Sequence, residues 1–348
     1  MSKPEIILHH YQGSPYAEKV ITALRVKGLP WCSVSTSPML PRLLLEPLAH
    51  GYRRIPVMQI GNNVYCDTAL ILHELERRYP GEDCSKGLSD MITTWADKQL
   101  FNNVKDQMPW GASVEEQKAS PLHAVFGNKA FLADRAQLSG GRSINAEAIK
   151  QAQPYLLDQL LSNLDSLELV LQTPMHSLKQ QQTPRAEGGW VLGTALPSIA
   201  DFSIYAIVWW LMTTKRAPEY VTAEQYPCVF EWYKQMKDCI QRHRHPTQDC
   251  VKISAEEALE VAKQAGGSNG FVSSKEDVHP LEKRHVGDVV AVTPNDYGKV
   301  PVEGRIVEIT HRRVSIRPEP LASHPEIDVV IHFPRSGYMI VPANKASL

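Results

Sequence analysis

Residues 4–31 read PEIILHHYQGSPYAEKVITALRVKGLPW, and this stretch decides the fold. Ile6-Ile7-Leu8 has the pattern of a short buried strand, Gly13 marks a turn, and Ala17, Val20, Ile21 and Leu24 then recur at helical spacing. Ser14-Pro15 stands between turn and helix. Serine is a favoured N-cap, and proline is favoured at the first helical position, where its missing N–H has no partner to lose. Trp31-Cys-Ser-Val-Ser35 reads as a second strand. Further out, residues 56–60 (Pro-Val-Met-Gln-Ile) predict a third strand, Asn62-Asn63 a turn, and Val64-Tyr65-Cys66 a fourth strand. Residues 68–79 then form an amphipathic helix with Leu70, Ile71 and Leu75 on one side, stopped by Pro80-Gly81. The order β-α-β-(α)-β-β-α gives a mixed sheet with helices and excludes a doubly wound dinucleotide-binding unit.

Beyond about residue 88 the periodicity becomes helical, over 91–100, 149–171, 199–213, 227–240 and 255–265. Two polar insertions interrupt it, at about 111–143 and at 173–189, the second with a Gln run at 180–182. Connections that long are uncommon inside compact domains. Gly266-Gly-Ser-Asn-Gly270 and the polar stretch to His285 read as linker. After it come about five short strands, with Val314/Ile316 and Val329/Ile331/Phe333 alternating as half-buried strands do. They predict a small open barrel, SH3-like, that folds as its own unit and contributes no atom to a site in the first domain.

With 348 residues, two or three domains are expected, and 43% hydrophobic and 22% charged residues suit an ordinary globular chain. A formal net charge of -1 argues against general nucleic-acid binding and against an acidic disordered chain. The first residues lack the apolar run of a signal peptide, and the longest apolar stretch, 202–212, is far shorter than a membrane span. A cytoplasmic protein without membrane or nucleic-acid partners is the expectation. The six cysteines, Cys32, Cys66, Cys84, Cys228, Cys239 and Cys250, form no C-x-x-C pair and no zinc-like spacing with histidine, so reduced thiols and no metal are expected.

Three constellations carry chemistry, and each has a plain structural reading beside a functional one. Ser14 is an N-cap; it is also a hydroxyl at a helix N-terminus, where free N–H groups and a partial positive charge stabilise an anion. A ligand thiol placed there, with an ordinary pKa of about 8.5, needs about 2.7 kcal/mol to titrate two units lower. One charge-assisted hydrogen bond plus the helix dipole reaches that magnitude. Ile55-Pro56 is either a trans proline at a strand start or a cis proline, which would turn the backbone N–H and C=O of residue 55 toward an extended peptide. Asp67-Thr68 is either a simple helix cap or a pair in which the acid accepts an α-ammonium while the helix N-terminus takes a carboxylate.

In this order and spacing, Ser-Pro at the first helix, Ile-Pro-Val at the third strand and an acid-plus-hydroxyl pair opening the third helix resemble the N-terminal domain of the glutathione S-transferase family. The segment SPYAEKVITALRVKGLPW is similar to the serine-type classes, tau nearest, whereas omega-class members carry Cys where Ser14 stands. Downstream, Ser198 and Asp201 form a capping box with Pro197 and Phe202 as a hydrophobic staple, similar to the structural S/T-x-x-D box of the family's helical domain. The resemblance runs over residues 4–250. Asp67-Thr68 stands in place of the more usual Glu-Ser, and the barrel-like tail is foreign to the ordinary family fold. The extended architecture resembles glutathione S-transferase-like proteins of filamentous fungi, some of which act in secondary metabolism.

The resemblance implies a thioredoxin-like glutathione-binding domain (1–85), an all-helical domain (86–265), a linker (266–285) and a small β domain (286–348). It assigns Ser14 to the glutathione sulfur, Ile55 beside cis-Pro56 to the cysteinyl backbone, Asp67 and Thr68 to the γ-glutamyl group, and Arg42 or Arg54 to the glycyl carboxylate. Tyr11 takes the place of the hydroxyl used by tyrosine-type classes, and Tyr16, Trp110, Tyr205 and Trp209 are candidates for the acceptor pocket. The implied activity is a glutathione-dependent transferase, lyase or isomerase acting on a small hydrophobic electrophile, with glutathione as co-substrate and a homodimer as the assembly. The alternative is a non-catalytic scaffold or regulator whose β tail binds a protein. A thiol-disulfide oxidoreductase is disfavoured because Ser14 stands where a reactive cysteine is needed.

Overall fold

Side chains alternate across the first strand, β1 (Ile6–His10): Ile6 and Leu8 join one core, Ile7 another, and all three are buried. The computed structural model describes residues 3–81, 86–119, 121–141, 144–172, 189–244, 250–266 and 284–345. The insertion at 173–188, most of the expected linker (267–283) and Cys84 lie outside these residues. After β1 come α1 (Pro15–Val26), β2 (Trp31–Ser35), α2 (Glu46–Ala49), β3 (Val57–Ile60), β4 (Asn63–Cys66) and α3 (Thr68–Arg78). β1 pairs parallel with β2 and antiparallel with β3, and β3 pairs antiparallel with β4, which is the thioredoxin-like arrangement.

The helical zone opens with α4 (Lys86–Trp95), a π-helical turn at Ala96–Leu100 and α5 (Phe101–Asp106). The insertion at 111–143, whose polar composition hides its periodicity, is itself helical: α6 (Val114–Ala119), α7 (Pro121–Phe126) and α8 (Lys129–Leu138). Asn128 caps α8 by accepting from the Phe131 N–H at 3.1 Å, and Phe126 and Phe131 meet edge to face at 5.7 Å. Next are α9 (Ala146–Gln172), α10 (Ile199–Thr213) and α11 (Pro227–His243). The capping box starts α10, and its Asp201 collects four donors: Ser198 N (2.9 Å), Ser198 Oγ (2.8 Å), Val191 N (3.0 Å) and Trp232 Nε1 (3.0 Å). This fully buried carboxylate ties the 190s loop to α10 and α11, a structural role. The sequence reading extends the helical zone to 265, but β5 (Cys250–Lys252) pairs parallel with β2, and α12 (Ala255–Ala265) follows it. Three residues are too few to display a strand period.

The tail forms the five expected strands: β6 (Val289–Pro294), β7 (Val302–Ile309), β8 (Arg313–Arg317), β9 (Val330–Pro334) and β10 (Tyr338–Pro342). They are antiparallel neighbours in the order β10-β6-β7-β8-β9. The expectation of a separate barrel is corrected, because β9 pairs parallel with β4 and the two sets make one ten-stranded sheet, β10-β6-β7-β8-β9-β4-β3-β1-β2-β5. Burial on both faces of β3 and β4 supplies the reason. Met58 and Tyr65 pack into the helical core, while Val57, Val64 and Cys66 point the other way and pack with Ile306, Ile331 and Phe333 of the tail. Pairing also removes the open edge of β4. The seam is closed by Val330 N donating to Asn62 O (3.0 Å), by a hydrogen bond between His332 Nε2 and Asn63 Oδ1 (3.0 Å), and by His332 stacked on Tyr65 at 4.4 Å. Arg313 pairs with Glu308 (2.7 Å) and reaches Glu74 on α3 (3.3 Å). Among the described residues no helix is long and apolar enough to cross a membrane.

Candidate functional site

Gly13, at φ 86, turns the chain after β1, and Ser14 follows in extended backbone as the N-cap of α1. Its Oγ accepts from the Ala17 N–H at 3.2 Å, so the capping role read from sequence is real. The same hydroxyl, almost wholly buried, lines a cavity of about 1200 Å³. Tyr11 and Tyr16 line it too. Tyr16 donates to the Asp97 carbonyl at 2.9 Å and accepts from Tyr297 at 3.4 Å. Burial, with Tyr297 and Asp97 adding, pushes the Tyr16 hydroxyl well above its ordinary value, and burial pushes Tyr297 up to about 12. Both stay neutral donors in ordinary buffers. Below them Lys19, fully buried, pairs with Asp97 at 2.7 Å and fixes the π-helical turn against α1.

Ile55–Pro56 is a cis peptide bond, and both residues line the cavity. Asp67 caps α3 through Oδ1, which accepts from Ala69 N–H at 2.9 Å, and its backbone sits at φ 78, a region a non-glycine residue rarely occupies. That conformation turns Asp67 and the first helical residue, Thr68, into the same cavity as Ser14. Four of the sequence-derived positions, Ser14, Ile55, Asp67 and Thr68, therefore converge.

Both arginines line the same cavity and both have protein partners. Arg42 is buried and donates to three carbonyls: Ser37 (2.8 Å), Arg53 (2.7 Å) and Pro38 (3.1 Å). Burial, with Arg53 beside it, lowers its pKa to about 10. Arg54 pairs with Asp296, donates to the Tyr297 carbonyl at 3.1 and 2.6 Å, and stands 3.6 Å from Asp67 Oδ2. Burial opposes its charge, but the surrounding phenols and Asp296 outweigh that and raise its pKa.

These partners of Arg54 belong to the tail. Asp296, Tyr297 and Tyr338 line the cavity, and Tyr338 donates to Asp67 Oδ2 at 3.2 Å. The expectation that the tail stays clear of the site is thus overturned: pairing β9 with β4 carries the tail's turns over the end of β4 and the start of α3. The helical insertion meets the tail at the rim, where Gly298 N–H donates to the Leu138 carbonyl of α8 at 2.7 Å. The cavity also carries aromatic rings, and Phe101 reaches Tyr16 at 4.8 Å. Phe101 stacks on Trp210 at 5.8 Å, and Trp110 meets Phe126 edge to face at 4.8 Å while donating from Nε1 to the Lys105 carbonyl. Tyr205 and Trp209, expected at this cavity, do not line it. Tyr205 is buried in the core against Tyr233 at 5.4 Å, and Trp209 packs on the same core, because the helical period of α10 gives Trp210 the cavity side. The pair Trp209-Trp210 reads from sequence as mostly core with a chance of lining the pocket, and Trp210 does line it; sequence reasoning missed Asp296, Tyr297 and Tyr338. The available signal was a tyrosine in a turn, Asn295-Asp-Tyr-Gly298, and a second at the start of a strand, Ser336-Gly-Tyr338.

Residues 8–83 match the family described as Glutathione S-transferase, N-terminal domain, and residues 118–245 match a Domain of unknown function (DUF7962). No curated protein matches the sequence. Among solved structures, a GST-like protein from Pseudomonas syringae is similar at 26% identity and a TM-score of 0.66, with 97% of this chain and 99% of that chain covered. More distant are the beta-etherase LigF from Sphingobium sp. strain SYK-6 (16% identity, TM-score 0.46, 68% and 99% covered) and the tau class glutathione S-transferase MiGSTU from mango, Mangifera indica L. (14% identity, TM-score 0.45, 76% and 100% covered). The coverage of the Pseudomonas protein takes in both the helical insertion and the strand tail, so the extended architecture is shared with a bacterial chain. The chain thus carries a glutathione S-transferase N-terminal domain at its start and has a glutathione S-transferase-like fold.

Proposed function

We propose that the protein uses glutathione as a co-substrate, ionises its thiol at Ser14 and delivers the sulfur to a small hydrophobic electrophile. The observation that carries this reading is the convergence of Ser14, Ile55, Asp67 and Thr68 on one cavity that also carries the aromatic rings of Phe101, Trp110 and Trp210. The Ser14 hydroxyl donates to the sulfur, and the N-terminus of α1 stabilises the thiolate. Ile55 offers its backbone to the cysteinyl residue, and Asp67 with Thr68 receives the γ-glutamyl end. Arg42, which lines the cavity and gives three of its five N–H groups to loop carbonyls, is the candidate for the glycyl carboxylate. The electrophile lies against Phe101, Trp110 and Trp210. The thiol proton leaves to solvent and the sulfur forms a bond to the electrophilic carbon. The displaced electron pair departs with a leaving group or, in a conjugated alkene, is protonated. A cytoplasmic homodimer is the expected setting. A scaffold role in which the tail binds a protein has less support, since β9 is engaged with β4 and the tail's turns face the cavity.

The test is retention on glutathione resin together with turnover of a generic aryl halide. Retention with turnover supports the proposal. Retention without turnover on a panel of electrophiles favours the non-catalytic alternative, and absence of glutathione binding overturns the proposal.

A further inference from the structure

Arg54 lies between two carboxylates that do not share it equally. It contacts Asp296 directly, donates twice to the Tyr297 carbonyl, and lies 4.3 Å over the Tyr297 ring. Asp67 is further off, at 3.6 Å. Tyr338 places its ring 5.7 Å from the guanidinium and its hydroxyl against Asp67 Oδ2, and the Tyr338 and Tyr52 hydroxyls are hydrogen-bonded at 2.7 Å. All five of these side chains, with Arg54, line the cavity at its Thr68 end. One guanidinium faces two carboxylates, so one negative charge is left over, framed by phenol rings. A primary ammonium fits such an environment through a charge-assisted hydrogen bond and ring contact.

We propose that the tail is part of the ligand site: Asp296 and Tyr297 hold Arg54 in no more than a loose 3.6 Å pair with Asp67, so that the Asp67 carboxylate, which also accepts from the Ala69 N–H and from Tyr338, keeps a lone pair for the ammonium of a γ-glutamyl group, and Tyr338 fixes that carboxylate's orientation. This rests on the reading that the cavity takes glutathione. The three tail residues act as positioning residues, through Arg54 and Asp67. Without Asp296 the guanidinium has a single carboxylate left, closes on Asp67, and presents the ammonium with a neutralised pair.

The experiment is calorimetric titration of the full chain, wild type, Asp296→Asn and Tyr338→Phe, with glutathione and with N-acetylglutathione, whose amine is blocked. Asp296→Asn should weaken glutathione about tenfold or more, the scale of a hydrogen bond to a charged group, and Tyr338→Phe roughly threefold, because its hydroxyl acts only through Asp67. Both variants should hold N-acetylglutathione within about twofold of wild type, because no ammonium is there to lose. Unchanged glutathione affinity in Asp296→Asn overturns the proposal. So does an equal loss for both ligands, which marks general damage to the cavity. A wild-type protein that binds neither compound overturns the glutathione reading itself, and this inference with it.

Discussion

The β1–β4 half of the sheet and the β6–β10 half meet the same cavity by different means. The first half contributes groups that also set the local backbone: the capping hydroxyl of Ser14, the cis bond before Pro56, and the Asp67 carboxylate at the positive-φ turn that opens α3. The tail contributes side chains that reach in from a turn and from the start of β10, Tyr297 and Tyr338, together with the Asp296 carboxylate. Backbone sites demand particular residues at particular spacings, because a cap or a positive φ tolerates few alternatives. A side chain that only has to reach can come from any turn that the sheet brings near. One half is therefore conformationally constrained by its chemistry, and the other is constrained only by the strand pairing that docks it.

If the two halves form one cooperative unit, damage at the seam must reach both. Ile331 is fully buried and sits on β9 opposite Val64 of β4 and Ile316 of β8. Ile331→Ala should cost about 2–5 kcal/mol, the range for emptying a core site. Hydrogen exchange in denaturant should show β1–β4 and β6–β10 losing protection together; a tail that opens alone, with β1–β4 unaffected, breaks the comparison.

Acid should weaken the seam next. Burial, with Arg313 adding, lowers the His332 pKa from 6.5 to about 3, and burial lowers His9 to about 4. Both stay neutral in the folded chain while the unfolded chain protonates, so stability is full above pH 6.5 and is lost as pH falls toward these values. Burial acts against the Glu74 charge, but hydrogen bonds from Arg77 and Arg78 outweigh it and bring its pKa down from 4.5 to about 2. Its contribution is present above pH 4.5 and disappears below it. Thermal unfolding should thus soften in two stages, and His332→Gln should flatten the first. An unfolding temperature that is level between pH 6.5 and 4.5 contradicts the neutral, buried histidines.

The smallest effect sharpens the contact between tail and insertion. Gly298 sits at φ 62, and an added Cβ would lie 3.1 Å from Leu138 Cδ1 and 3.3 Å from Arg53 Cβ. Gly298→Ala should cost about 1 kcal/mol, from the left-handed backbone and a shift of α8. A neutral result would mean that α8 yields freely at the rim.

The floor of the site was legible because its residues do local work. Ser14-Pro15, Ile55-Pro56 and Asp67-Thr68 each shape the next turn of chain, and a single stretch of sequence displays that. The strands of the tail were equally legible from the alternation of Val314/Ile316 and Val329/Ile331/Phe333. Their docking was not, because nothing local distinguishes a strand that closes a barrel from one that pairs with β4. The only trace was the apolar run Val64-Tyr65-Cys66, which implies burial on both faces and hence a second cover. Trp209 and Trp210 were indistinguishable by composition, and only the rotation of α10 separates them.

Ser14 carries the proposed chemistry. The thiol of bound glutathione should be titrated by its thiolate absorbance in wild type and in Ser14→Ala. With the hydroxyl donating to sulfur, the variant should raise the bound thiol's pKa by about one unit or more, since about 1.36 kcal/mol separates protonation states per unit. Affinity should change less, because Ile55, Asp67 and Thr68 still hold the rest of the tripeptide. Superimposable titration curves would contradict the account: they would leave Ser14 with the Ala17 N–H as its one task, and move attention to Tyr11 at the end of β1.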